Sequence, residues 1–244
     1  MPRAAPKVRA NLPLMNFSQI LTHPGSSHKD EFLACCLLLA ENPVTIVRRE
    51  PVAEDLADVS IAVVDVGHEH APERGNFDHH QFPADHPPAC ALTLVLQHLG
   101  IYEDARTFCD WLEPAEWFDT RGPNVTAKWL GIDRDTLSKL NSPVDVTLLR
   151  RFAKASRLGP GDVIWEMMRY IGEDLLDYVR SLRQRLDFII NNACQTVRRP
   201  PDSYEHMMAG EPAALQALLD HFEAPFDLGT GPLLRLKLIR LASD

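Results

Sequence analysis

The run VSIAVVDVG, residues 59–67, constrains this 244-residue chain more than any other stretch. It is continuously apolar up to Asp65, without the polar alternation of a half-solvated strand, which is the pattern of a strand buried on both faces. Such a strand needs helices on both sides, and so a mostly parallel sheet in an α/β layer. The preceding segments agree: NFSQILTH and PVTIVRR are strand candidates, and DEFLACCLLLAEN between them is a helix. CALTLVLQHLGIY and ARTFCDWLEPAEWF follow as helices. After about residue 143 strand signals stop. VDVTLLRRFAKASRL and the long GDVIWEMMRYIGEDLLDYVRSLRQRLDFIINNAC keep apolar residues at three- and four-residue steps, the period of amphipathic helices. The expected fold is α/β, a mostly parallel sheet flanked by helices and followed by a helical C-terminal region. The expected division is a flexible arm over 1–15, the α/β domain over 16–142, a helical region over 143–222 and a tail over 223–244, with the break at LNSPVD.

Charge narrows the partners. A formal net charge of -9 argues against a polyanion-binding surface along the whole chain. Residues 150–199 are the exception, with ten Lys and Arg against six acids, enough to track a phosphate backbone or to form a solvated helix face. The five cysteines contain no C-x-x-C pair, and Cys35 and Cys36 sit inside an apolar run, as thiols do when used as small apolar residues in a reducing compartment. FLACCLLLA reaches only about half of the roughly 20 residues that span a bilayer, so no membrane segment is expected. The N-terminus carries Arg3, Lys7 and Arg9 with no acid before Asp30, but prolines 2, 6 and 13 spoil an amphipathic helix. It reads as an arm in a cytoplasmic protein. The alternative, a transit peptide, would place the chain in the mitochondrion.

Histidines point to chemistry. Eight of the ten fall between residues 23 and 98, less than a third of the chain. His23, His28 and Asp30 cluster where the first strand hands over to a helix, Asp65 ends the next buried strand, and Asp78, His79 and His80 follow a short loop later. In open parallel sheets, ligands bind at the carboxyl ends of strands. Imidazole mixed with carboxylate and no thiolate suits Mn²⁺, Zn²⁺, Fe²⁺ or Co²⁺. A carboxylate can bridge two ions held roughly 3.5–4 Å apart, and Asp65, on the strand between the other two groups, is the natural bridge.

THPGSSHKDE, VVDVG and PERGNFDHHQ together resemble the metal motifs of the DHH phosphoesterase superfamily. Within it the chain is most similar to the Myg (melanocyte-proliferating-gene) exonuclease family, in the same order and spacing, with Phe77 where a tyrosine is usual. The resemblance covers about residues 17–122. It implies that His23 and His28 bind one metal, that Asp30 and His79 bind the other, and that Asp65 bridges them. It also implies a fourth-motif aspartate, which EWFDTRG supplies as Asp119 on the second metal. Asp110 and Glu116 lie one or two helical turns away and could face the same way. The cofactor implied is a pair of divalent ions, Mn²⁺ first, with Mg²⁺, Co²⁺, Fe²⁺ or Zn²⁺ as alternatives.

These residues assemble into metal-assisted hydrolysis of a phosphoester. His79 would bind metal, while His80, its ring turned the other way as on an extended chain, would contact the scissile phosphate or protonate the leaving oxygen. Asp78 would position a histidine from behind. Arg74 and Arg121 are candidates to hold substrate phosphate. The resemblance implies 3′-to-5′ removal of nucleotides from RNA or short oligonucleotides. The alternatives are a nucleotide phosphatase, or a non-catalytic metal- or nucleic-acid-binding protein lacking the usual C-terminal substrate domain. APFDLGTGPLLRLKLIRL, residues 224–241, is similar to a segment of peptide-synthetase condensation domains that precedes their catalytic motif, without the motif itself.

Overall fold

The computed structural model describes residues 16–139 and 142–197; the N-terminal arm and the segment similar to condensation domains lie outside the described residues. In chain order the elements are β1 (Gln19–Thr22), α1 (Lys29–Glu41), β2 (Thr45–Arg48), α2 (Ala53–Ala57), β3 (Ile61–Val64), β4 (His70–Ala71), a single 3₁₀ turn (Pro72–Arg74) and β5 (Asn76–Phe77). There follow α3 (Ala91–His98), α4 (Tyr102–Phe108), α5 (Leu112–Leu130), α6 (Arg134–Lys139), α7 (Pro143–Lys154), β6 (Arg157–Leu158) and α8 (Val163–Val197). The sheet order is β4-β5-β3-β1-β2-β6. β1, β2, β3 and β5 run parallel, and the two edge strands, β4 and β6, are antiparallel to their neighbours. The fold is thus α/β, with helices on the sheet and a helical C-terminal region.

The unbroken apolar run of β3 is explained by its two covered faces. Ala62 and Val64 join Ile20, Ile46 and Phe77 in the main core, packed with α1, α3, α7 and α8. Val63, on the other face, packs with Leu21 and Val66 beneath Leu56 of α2. Alternate residues point to opposite faces, so a strand buried on both must be apolar at every position. α1 is likewise buried almost all round: every residue from Asp30 to Leu39 except Leu33 is inaccessible. Cys35 and Cys36 are free and buried there, and burial pushes both thiols well above their usual range.

One strand lies where periodicity predicts only helix. α7 stops at Lys154, and Arg157–Leu158 pair antiparallel with β2, completing the bond from Arg48 N–H to the Ser156 carbonyl at 2.9 Å. Leu158 is buried, and the edge groups of β2 gain partners. A two-residue strand is too short to leave a period in the sequence. Contacts divide the chain between Leu186 and Asp187. The first unit holds the whole sheet, and the described residues of the second, 187–197, are the last turns of α8. Among the described residues no helix is long and apolar enough to cross a membrane.

β1 is the switch point of the sheet: the chain leaves it toward β2 on one side and returns to β3 on the other. The crevice beyond the carboxyl ends of β1 and β3 is where such folds take ligands.

Candidate metal centre

Three strand ends and two helices supply the centre. His23 follows β1, Asp65 follows β3, and His79 stands two residues beyond β5. His28 is the N-cap of α1, Asp30 lies in that helix's first turn, and Asp119 lies in α5 three residues before a kink at Gly122 (φ 76°). Asp65 adopts a left-handed backbone, φ 59°, which short polar side chains tolerate better than most, and its N–H donates to the Phe77 carbonyl at 3.0 Å. That turn lifts its carboxylate out of the sheet edge.

The six side chains form one continuous chain of contacts. The two oxygens of Asp65 are divided: Oδ1 is 3.1 Å from His79 Nε2, and Oδ2 is 3.6 Å from His23 Nε2. Those of Asp119 are divided too, Oδ2 lying 3.1 Å from His79 Nε2 and Oδ1 3.6 Å from His28 Nδ1. Ligand atoms of His28, Asp30 and Asp119 lie within 4.8 Å of one another. Of the three fourth-motif candidates, only Asp119 joins this group; Asp110 is exposed, and Glu116 accepts a hydrogen bond from Thr93 Oγ1 at 2.7 Å.

The electrostatics follow from this crowding of imidazoles and carboxylates. Hydrogen bonding to Asp65 and then Glu31 raises His23 to about 10. Burial works against the charge on His79, yet Asp119 and Asp65 together raise it to about 10 as well. Burial and the neighbouring charges of Asp65 and Asp119 push Asp30 well above the usual carboxylate range. Both Asp30 oxygens are buried with no hydrogen-bond partner. A buried polar group without a hydrogen-bond partner costs roughly 1–3 kcal/mol, and a cation among these ligand atoms would relieve that cost and favour the ionised carboxylate. The acidic and histidine clusters can therefore hold a metal ion, and the mixed imidazole and carboxylate donors suit a first-row divalent one.

Asp78 sits behind the centre. Its Oδ1 accepts from the His80 N–H at 3.1 Å and lies 2.6 Å from His80 Nδ1, while Oδ2 accepts from the His68 N–H at 2.7 Å. Burial disfavours its charge, but these donors outweigh that and hold it at about 2. His80, raised by Asp78, does not turn away from His79: the ring centroids are 4.5 Å apart with planes inclined by 31°. The opposite orientation expected from strand alternation fails because the strand has ended. Phe82 N–H bonds back to the His79 carbonyl at 2.9 Å, and Asp78 draws the His80 ring to itself. His80 instead lines a cavity of about 580 Å³ together with His23, His28, Asp65, Asp78 and His68.

Both arginine candidates are engaged elsewhere. Arg74 pairs with Glu69, and Arg121 donates to the carbonyls of Ala84 and His86. Other residues, not assigned roles from the sequence, do touch the centre. Glu31 is fully buried, lies 3.2 Å from His23 Nε2, and accepts from Thr22 Oγ1 at 2.8 Å and from Arg48 Nη2 at 3.2 Å. Arg48 also bonds the carbonyls of Gly25 and Ser26, so it fastens the loop between His23 and His28. The signal was present in THPGSSHKDE, where Thr22 and Glu31 flank the histidines, but a glutamate in a helix's first turn reads as ordinary dipole compensation.

The MYG1 exonuclease profile, described as an uncharacterised protein family (UPF0160), matches residues 19–87. That span carries every residue of the centre except Asp119. The human MYG1 exonuclease is 49% identical over 80 residues, 31% of this chain and 20% of that protein. The bovine MYG1 exonuclease is 46% identical over 79 residues, 32% of this chain and 20% of that protein, and the rat protein 44% over 80 residues. The chain thus matches about a fifth of the length of these curated relatives. No solved structure matches it.

Proposed function

We propose that the chain is a dinuclear-metal phosphoesterase of the DHH type, removing nucleotides from the 3′ end of RNA or short oligonucleotides. One observation carries the metal reading: the buried carboxyl of Asp30, without a hydrogen-bond partner, beside two aspartates whose oxygens are shared between imidazoles. The relatives' name, MYG1 exonuclease, supports the nuclease part. His23 and His28 would hold one ion, Asp30, His79 and Asp119 the other, and Asp65 both. Two divalent ions, Mn²⁺ first among the candidates, supply Lewis-acid polarisation of the phosphoryl group and acidification of water when bound.

The chain's own residues do the rest. Asp78 Oδ1 accepts a hydrogen bond from the Nδ1–H of His80 at 2.6 Å. This leaves Nε2 as the titrating atom, able to deliver a proton to the departing oxygen as a general acid. Glu31 and Arg48 hold the His23 loop in place, and Pro51, Val52, Leu56 and Val66 line one side of the cavity with apolar groups.

The test is hydrolysis of a 5′-labelled RNA and of a mononucleotide in parallel, with and without Mn²⁺. Shortening of the RNA from its 3′ end, dependent on metal, is expected. Tight metal binding with cleavage of neither substrate would replace this reading with that of a binding protein.

A further inference from the structure

His68 plays no part in the centre as described, yet the backbone is distorted to present it. It has φ 54°, the left-handed region, three residues after Asp65 at φ 59° and directly after Gly67 at φ 98°. A histidine there costs roughly 1–2 kcal/mol against the ordinary conformation, and such costs persist where the surroundings hold the residue in place. What holds it is Asp78, whose Oδ2 accepts the His68 N–H at 2.7 Å while Oδ1 secures the His80 N–H and ring. One buried carboxylate therefore sets both histidines. The two rings meet edge to face, centroids 6.1 Å apart, and both line the cavity onto which His23, His28 and Asp65 open. The His68 ring is exposed, and its nitrogens have no hydrogen-bond partner among the described residues. A packing role would bury the ring, and a capping role would give a nitrogen a partner. Arg74 and Arg121, the side chains that would otherwise meet an anion, are bonded elsewhere.

We propose that His68 is a second phosphate-binding imidazole, donating a ring N–H to a non-bridging oxygen of the substrate phosphate that His80 contacts from the other side. The proposal rests on the phosphoesterase reading for its substrate, but the anion subsite itself does not.

Replacement by glycine isolates the ring. Glycine adopts φ 54° freely, so His68→Gly relieves strain and is expected to keep the thermal stability and metal content of the wild-type chain. Loss of a hydrogen bond to a charged group corresponds to about 10- to 100-fold. The KM for the RNA substrate is expected to rise by that factor and inhibition by inorganic phosphate to weaken equally, with kcat within a few-fold. His68→Asn, which also tolerates this backbone and retains a donor, is expected to recover part of the loss. An unchanged KM and unchanged phosphate inhibition in an active His68→Gly chain would overturn the proposal while leaving the phosphoesterase reading intact. So would loss of metal, which would make His68 a ligand. If the wild-type chain cleaves nothing, the phosphoesterase reading falls and the subsite is decided by titrating the full chain with inorganic phosphate. Movement of the His68 ring resonances, absent in His68→Gly, then supports the subsite, and unmoved resonances end it.

Discussion

Asp30 shows how a single side chain can oppose folding and serve binding. Its carboxyl has no donor and is held well above the usual range by burial and by Asp65 and Asp119. Its raised value leaves the carboxyl uncharged in the metal-free fold, so the near-isosteric Asp30→Asn is expected to keep the metal-free melting temperature level or raise it, while the added stability on Mn²⁺ binding disappears. Melting curves with and without Mn²⁺ decide this; a variant still stabilised by Mn²⁺ as the wild type is would exclude Asp30 as a ligand. Asp78 works the other way. Its folded value of about 2 lies below the 3.8 of an unperturbed aspartate. Its contribution is therefore fully present above pH 3.8 and lost as pH falls through about 2, on the order of 1–2 kcal/mol by linkage. In Asp78→Asn the stability deficit against wild type is expected at pH 5 and should shrink by pH 2. A deficit independent of pH would mean that shape, not charge, matters at this position. For the adjacent histidines, His79→Ala is expected to lose metal, since its Nε2 lies 3.1 Å from both Asp65 and Asp119. His80→Ala should keep metal and lose roughly 10²–10⁴-fold in turnover, the usual contribution of a general acid. Equal metal loss in the two variants would contradict this division.

At the scale of elements, α8 meets α1 at a glycine. A Cβ on Gly172 would stand 2.0 Å from the Cys36 carbonyl oxygen and 3.0 Å from Ala40 Cβ. By propensity alone, Gly172→Ala should strengthen an exposed helix by up to about 1 kcal/mol. Backbone on the far side of this contact cannot yield like a flexible side chain, and overpacking costs typically 1–3 kcal/mol. The clash is expected to win, lowering Tm by roughly 2–8 °C in calorimetry. An unchanged or higher Tm would show that the helices part without loss. The same contact matters for the site, because α1 carries His28 and Asp30 at its start. α1, β2, β3 and α8 were legible in sequence, since each is set by its own apolar run or period. β6 was not, because two residues paired to a strand a hundred positions earlier leave no local period.

For the molecule as a whole, bound metal would join segments that are remote in the chain: the β1–α1 turn, the ends of β3 and β5, and α5. Anything that binds only the folded state stabilises it by mass action, about 2.7 kcal/mol at a hundred times Kd. Binding also displaces protons, because imidazole ligands must be neutral. His23 and His79 both stand at about 10 in the metal-free chain, so at pH 7 both are protonated. Raised values mean that affinity falls as pH drops at every pH below about 10. Titration with Mn²⁺ in two buffers of different ionisation enthalpy is expected to report release of about two protons or more at pH 7. Release of none would place both imidazoles outside the coordination sphere.

What the sequence determined by itself is local: apolar runs whose period selects strand or helix, and histidines and aspartates placed at strand ends, where a parallel sheet gathers them on one edge. Tertiary structure decided what depends on distant partners. Asp119 stands 40 residues after His79, and only the packing of α5 beside α1 turns it, and not Asp110 or Glu116, toward His28 and His79. Glu31 and Arg48 became a buried pair behind His23 because β2 lies beside β1. The direction of the His80 ring was lost to alternation because a carboxylate two residues back, Asp78, captures it once the strand has ended. Side-chain period is a property of the backbone, whereas the aim of a polar side chain follows whichever charge or donor the fold brings within hydrogen-bonding reach.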